Sequence, residues 1–299
     1  MNSIVRTTIV LFLVSVAVVV GEDEGGWSGA AGLLVGNHDN FFFRGPGAAA
    51  PSSDMQTVFV NGEWLRENGQ GELTVVVGGT VVMVSDIDEA DYQIASLGLE
   101  YKQGRFKYGG TYALLLNRLF VEEGDPVFFD ENAFEGWVRY SVSPNLWLRG
   151  KAELAQQDFD PAEDDRDADV LKLYLTARYA LTPVLGVRVS VLWNDRDANG
   201  PRNDRQGTGF SLGLEGQPSE KTRFSMRVRR REREYQDAPA GDSNFNRDDT
   251  VTDVNFNLRW RVRERWGFEI RDEYRDGEST RPDRNFDGNY IGAGLFIEF

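Results

Sequence analysis

The chain has 299 residues, a net charge of −15, one histidine and no cysteine. Without cysteine there are no disulfides, thiolate metal sites or lipobox for a lipid anchor, and a strongly acidic chain is a poor partner for nucleic acid. Any Ser-His or metal-His chemistry would have to be built around His38 alone, no paired serine motif accompanies it, and no phosphate-binding loop is present, so no enzyme is expected.

Residues 1–21 read as a secretory signal peptide. Arg6 supplies a basic start, Thr8 to Val20 an apolar stretch, and Val19 with Gly21 small residues for cleavage. From residue 22 to 299 no linker divides the chain and no helical period persists, so a single domain is expected. Mean hydropathy, −0.44, suits either a soluble protein or a barrel whose membrane face uses only every second residue, and the pattern along the chain must separate the two.

Runs of about ten alternating residues recur instead, the length of a membrane-crossing strand. They fall near 27–36, 56–65, 72–85, 92–102, 105–116, 133–142, 146–156, 170–181, 184–194, 207–216, 222–234, 251–262, 266–274 and 289–299. In the eighth, Leu171, Leu173, Leu175, Ala177, Tyr179 and Leu181 share one face, against Lys172, Tyr174, Thr176 and Arg178. The spacing predicts an all-β fold, a transmembrane antiparallel up-and-down barrel of about fourteen strands, with 12 and 16 as the alternative even counts.

The connections alternate between short turns carrying Gly, Pro or Asn and longer polar loops near 37–54, 86–91, 117–132, 157–169, 195–206, 235–250 and 275–288. Short periplasmic turns and long external loops are the asymmetry of outer-membrane barrels. Tyr101, Tyr140, Tyr179 and Trp266 near strand ends fit interfacial girdles. Whether loop 117–132, with Phe128 and Phe129, folds into the lumen as a plug is not fixed by the sequence.

Most of the acid lies in the long loops, which leaves the strands and turns net basic. Arg223, Arg227, Arg229, Arg231 and Arg233 share one face of a strand, and Arg259, Arg261 and Arg263 share the same face of the next, followed by Arg271 between Glu269 and Glu273. If the apolar face meets lipid, these residues line the lumen. Two readings follow: a constriction selecting anions, among them acidic oligosaccharides, or a mixed ladder in which Glu269, Glu273, Glu215 and Glu153 balance the arginines. Asp195, Asp197 and Asn199, with Gly200, match the first half of a calcium loop, but the twelfth position is Gln206 rather than Glu. Calcium in the external loops, or divalent bridging to lipopolysaccharide, is therefore a secondary expectation. Otherwise no cofactor is expected.

The chain closes on IGAGLFIEF, a period-two strand whose Ile291, Ala293, Leu295, Ile297 and Phe299 share a face. Together with GLLVGNHDNFFFR and RDEYRDGESTRPDRNFDGNYIGAGLFIEF, it resembles Gram-negative outer-membrane β-barrel porins and exopolysaccharide-associated barrels. It is also similar to the barrel half of surface lipoprotein assembly modifiers, without their helical repeats. The resemblance implies a multi-pass outer-membrane protein. Its partners would be outer-membrane lipid, lipopolysaccharide and the barrel-assembly machinery, with Phe299 as an assembly signal. The leading function is a porin-like passive channel for small polar or anionic solutes. Alternatives are a barrel component for surface polysaccharide export or lipoprotein display, and a structural surface barrel with cation-binding acidic loops.

Overall fold

The computed structural model describes residues 26–40, 52–85, 90–120 and 127–299. The expected signal segment, residues 1–21, lies outside the described residues.

Fourteen strands form one closed barrel: β1 (Gly26–His38), β2 (Ser53–Asn68), β3 (Gly71–Val84), β4 (Tyr92–Gln103), β5 (Phe106–Phe120), β6 (Val127–Ser143), β7 (Leu146–Phe159), β8 (Ala168–Thr182), β9 (Leu185–Ala198), β10 (Arg205–Ser219), β11 (Thr222–Tyr235), β12 (Asp248–Arg261), β13 (Trp266–Ser279) and β14 (Phe286–Glu298). Each pairs antiparallel with its sequence neighbours, and β14 closes onto β1 in the register Ala30↔Glu298 to His38↔Tyr290. Closure leaves no strand edge unpaired, which removes the hazard an apolar terminal strand would otherwise pose.

Alternation decides which side chains face outward. On β8, Leu173 is 43% and Leu175 59% exposed; on β14, Ile291 is 56% and Leu295 53% exposed. So much exposed apolar surface, arranged around the whole wall, is stable only in lipid. At the ~40° tilt of such barrels, the outward run from Leu171 to Leu181 gives a belt about 25 Å tall. Aromatics ring its short-turn rim. Tyr101 lies 5.7 Å from Tyr108, Phe106 4.9 Å from Tyr140, and Trp266 5.9 Å from Phe268.

At the seam, Gly29 N–H donates to the Phe299 carbonyl at 2.9 Å and Phe299 N–H to the Gly29 carbonyl at 3.0 Å. A Cβ on Gly29 would stand 2.7 Å from the Phe299 ring, and one on Gly294 would collide with the Leu33 carbonyl. Close approach of the two backbones therefore requires glycine at both positions.

One expectation needs correction. The loop expected at 117–132 is mostly strand: β5 runs to Phe120 and β6 starts at Val127, past a register shift between Leu115 and Arg118. Asn117, at φ 59°, makes the bend, and its N–H donates to Asp130 Oδ1 at 2.7 Å. Phe129 is no free plug, since it stacks on Phe159 at 5.0 Å, and Phe128 packs near Met55, Val82 and Val84. The lumen wall also carries apolar residues. Leu34, Phe59 and Phe296 form a buried inward arc on β1, β2 and β14.

Candidate functional site

The lumenal site grows from the register of three strands. Across β11 and β12, Arg223 faces Arg259, Arg227 faces Asn255, Arg229 faces Asp253 and Arg233 faces Asp249. Across β12 and β13, Arg259 faces Glu269, Asn257 faces Arg271, Asn255 faces Glu273 and Asp253 faces Arg275. Outward neighbours Met226 and Val228 remain exposed, which fixes the arginine face as the inner one.

Three carboxylates gather the arginines into knots. Asp253, with its side chain 3% exposed, accepts from Arg229 Nε at 3.1 Å, Arg231 Nη2 at 2.9 Å and Arg275 Nε at 2.7 Å. Glu269, 1% exposed, accepts from Arg259 Nε at 2.8 Å, Arg271 Nε at 2.6 Å and Asn257 Nδ2 at 2.7 Å. Glu215 takes Arg178 Nε at 2.5 Å and Arg188 Nη2 at 2.7 Å. Cations outnumber their acid partners in each case, yet each guanidinium is fixed by hydrogen bonds as well as charge. The Arg259 guanidinium also covers Phe59 and Phe296, at 5.6 and 5.5 Å from the ring centres, so it shields the apolar arc from the lumen.

The opposite wall is built likewise. Glu135 pairs with Arg149 at 2.8 Å and Lys151 at 2.7 Å, and Glu153 with Lys172 at 2.6 Å and Lys151 at 3.3 Å. Glu131 accepts from Arg118 at 2.9 Å and Gln157 at 2.7 Å. The mixed ladder expected from Glu269, Glu215 and Glu153 is therefore present, while Glu273 makes no ion pair among the described residues.

These walls enclose adjoining cavities. One of about 420 Å³ is lined by Arg227, Arg259, Arg271, Glu269 and Glu273. Another of about 540 Å³ includes Arg229 and Arg231. A third of about 490 Å³ shares Arg271 with the first and Arg275 with the second. Arg223 is exposed near the short-turn end of β11, Arg261 pairs with Glu298 at 3.2 Å, and Arg263 falls in the turn after β12; none of the three lines any of these three cavities. Sequence reasoning missed Asp253, Arg275, Arg196 and Arg205. The last three were assigned to loops.

The half-motif expected as a calcium loop has a different local geometry. Asp195 and Asp197 sit on β9 rather than in a loop, and register pairs them with outward positions Gln206 and Asp169. Two residues along a strand separate their Cα atoms by about 7 Å on one flat face, so they cannot wrap an ion as a turn does. Asn199 Nδ2 donates to the Asp164 carbonyl at 3.1 Å. No group of three or more metal-ligating side chains forms among the described residues.

The loop acids do another task. The last N–H of a strand donates to an Asp or Asn beyond the loop at four places: Val84 to Asp91 at 2.8 Å, Phe159 to Asp167 at 2.8 Å, Ala198 to Asp204 at 2.6 Å and Ser279 to Asn285 at 2.7 Å. Arg247 grips Asp249 at 2.9 and 2.8 Å, and fully buried Asn244 ties that loop to the Arg202 carbonyl at 3.0 Å. Asn244→Ala should loosen loop 236–247 by about 1–3 kcal/mol, seen as faster cleavage there by external protease with the barrel intact. Unchanged cleavage would show that the tie is dispensable. His38, expected as a loop residue, is the buried last residue of β1 and accepts from the Asn40 N–H at Nδ1, 3.2 Å.

A closed barrel with an apolar belt, an aromatic rim and a charged lumen defines a transmembrane β-barrel. No protein-family profile and no curated protein matches the sequence. Among solved structures, the chain is similar to an anion-selective porin from Comamonas acidovorans, at 10% identity over 92% of this chain and 99% of that one, TM-score 0.51. OmpT of Vibrio cholerae is similar at 12% identity, over 94% and 99%, TM-score 0.51. The channel DcaP of Acinetobacter baumannii is similar at 8% identity, over 92% and 97%, TM-score 0.50. At such identities the likeness is one of fold.

Proposed function

We propose that the protein is a passive outer-membrane channel for small polar or anionic solutes. The observation that carries this reading is the run of adjoining lumen cavities, walled by more cations than carboxylates, inside a closed barrel. Rings of Arg favour anions in a pore, and guanidinium forks suit carboxylates, so short acidic oligosaccharides are among the solutes. The similar Comamonas protein is an anion-selective porin, which agrees with this reading. Outer-membrane lipid and lipopolysaccharide would cover the belt, and the barrel-assembly machinery would insert it.

Planar bilayers holding the purified protein should show discrete conductance steps and, under a KCl gradient, a reversal potential on the chloride side. A barrel that inserts without conducting would overturn the channel and leave a structural surface barrel. In cell fractions the protein should appear with the outer membrane and migrate faster on gels before boiling than after. Recovery only in soluble fractions would refute the localisation.

A further inference from the structure

The lumen cavity of about 420 Å³ is walled by four arginines and three glutamates. Five of these seven are paired within the wall: Glu215 bonds Arg188 at 2.7 Å, and Glu269 bonds Arg259 at 2.8 Å and Arg271 at 2.6 Å. Arg227 and Glu273 are left over. Arg227 Nη2 donates to the neutral Asn255 Oδ1 at 2.9 Å, and neither Arg227 nor Glu273 forms an ion pair among the described residues. The neighbours of Glu273 on its face of β13, Arg271 and Arg275, are turned instead to Glu269 and Asp253.

Register places the two leftover charges at one level of the lumen. Arg227 faces Asn255 across β11 and β12, and Asn255 faces Glu273 across β12 and β13. Two strand intervals, about 10 Å at the backbone, separate them, and both are exposed side chains on the same cavity. An anion that meets Arg227 is opposed by Glu273, and a cation that meets Glu273 is opposed by Arg227. A solute carrying both charges satisfies both. In an α-amino acid, ammonium and carboxylate are joined through one carbon, so a carboxylate bonded to Arg227 and an ammonium bonded to Glu273 together span about 8–9 Å between protein atoms. That length fits the two-strand separation. Asn255, between the two, keeps its Nδ2 without an acceptor among the described residues, a second donor for the carboxylate.

We propose that this cavity is a two-point recognition site for small zwitterions of the α-amino acid class, in which Arg227 and Asn255 take the carboxylate and Glu273 the ammonium. The inference rests on the lumen being an aqueous channel and narrows the polar solutes of that channel to one class.

The test uses the full-length barrel in proteoliposomes, with tracer flux of alanine, N-acetylalanine and alaninamide measured above that of protein-free liposomes, at equal ionic strength and without a membrane potential. Alanine flux should saturate, at a half-saturating concentration about tenfold below those of the two singly charged derivatives. Arg227→Gln and Glu273→Gln should each raise the alanine value several-fold. N-acetylalanine should be weakened only by R227Q, and alaninamide only by E273Q. This crossed pattern separates recognition from the net field of the pore, because a change of field alone moves anion and cation in opposite directions and leaves a neutral zwitterion unchanged. Exchanging the charges, Arg227→Glu together with Glu273→Arg, should restore alanine saturation. Migration on gels before boiling checks each variant for folding, and where one fails to fold, the comparison of the three solutes on the unaltered barrel decides alone. Alanine saturating no lower than its derivatives, or unmoved by both R227Q and E273Q, would overturn the site and leave the channel in place. A barrel that passes no current, yet binds labelled alanine in detergent more tightly than either derivative, keeps the site and loses the channel.

Discussion

Asp253→Asn is expected to destabilise the barrel by about 3–5 kcal/mol and, in the barrels that still fold, to make the pore more anion-selective. The carboxylate bonds Arg229, Arg231 and Arg275 together, and it is nearly inaccessible to solvent. An amide of the same shape keeps the space filled but removes the charge that compensates three guanidiniums, and its NH₂ can only confront their donors. Removing one partner of a buried ionic network costs more than the network contributes, because the remaining charges stay buried and uncompensated. The same change leaves the lumen one unit more positive. The temperature at which the fast-migrating band disappears should fall, and the chloride reversal potential should grow. Unchanged values of both would show that Asp253 neither holds the ladder nor sets the field. Arg229→Gln, which relieves one of three competing cations, should be much milder in stability than D253N.

Strand count and order were legible because two signals agree along the whole chain: a period of two, and turns that alternate between short and long. Strand ends were less legible at the loop side. Asp169, Asp195, Asp197 and Gln206 face outward on paired strands, yet they are polar. Alternating hydrophobicity fades where lipid ends, while backbone pairing continues beyond it, so these strand tips resembled loops and a calcium motif. The arginine ladder was visible because β11 repeats Arg at period two; its neutralising Asp253 was not, since one acid on β12 carries no pattern of its own. The inward arc of Leu34, Phe59 and Phe296 was hidden because a period of two marks one face of a strand as apolar and leaves the other unspecified. Runs such as TVVVGGTVVMV on β3, apolar on both faces, were the available sign.

Deleting Phe299 should lower the amount of assembled barrel several-fold while leaving the conductance of each surviving pore unchanged. Two backbone hydrogen bonds to Gly29, at 2.9 and 3.0 Å, would be lost from the seam, together with the ring that lies against Gly29. At about 0.5–1.5 kcal/mol for each bond, that is a modest loss for a finished barrel, whose other strand pairs are unaffected. The seam is different in kind, because β1 and β14 are the first and last strands and their pairing joins residues far apart in sequence. Such a contact must overcome the loop-closure entropy of almost the whole barrel, so weakening it slows closure more than it weakens the product. Phe299 faces outward, 45% exposed, and no lumen cavity touches it, so the ion path is untouched. Outer-membrane yield measured beside single-channel steps separates the two effects. Normal yield would remove Phe299 from assembly, and altered steps at reduced yield would place the seam in the conducting path.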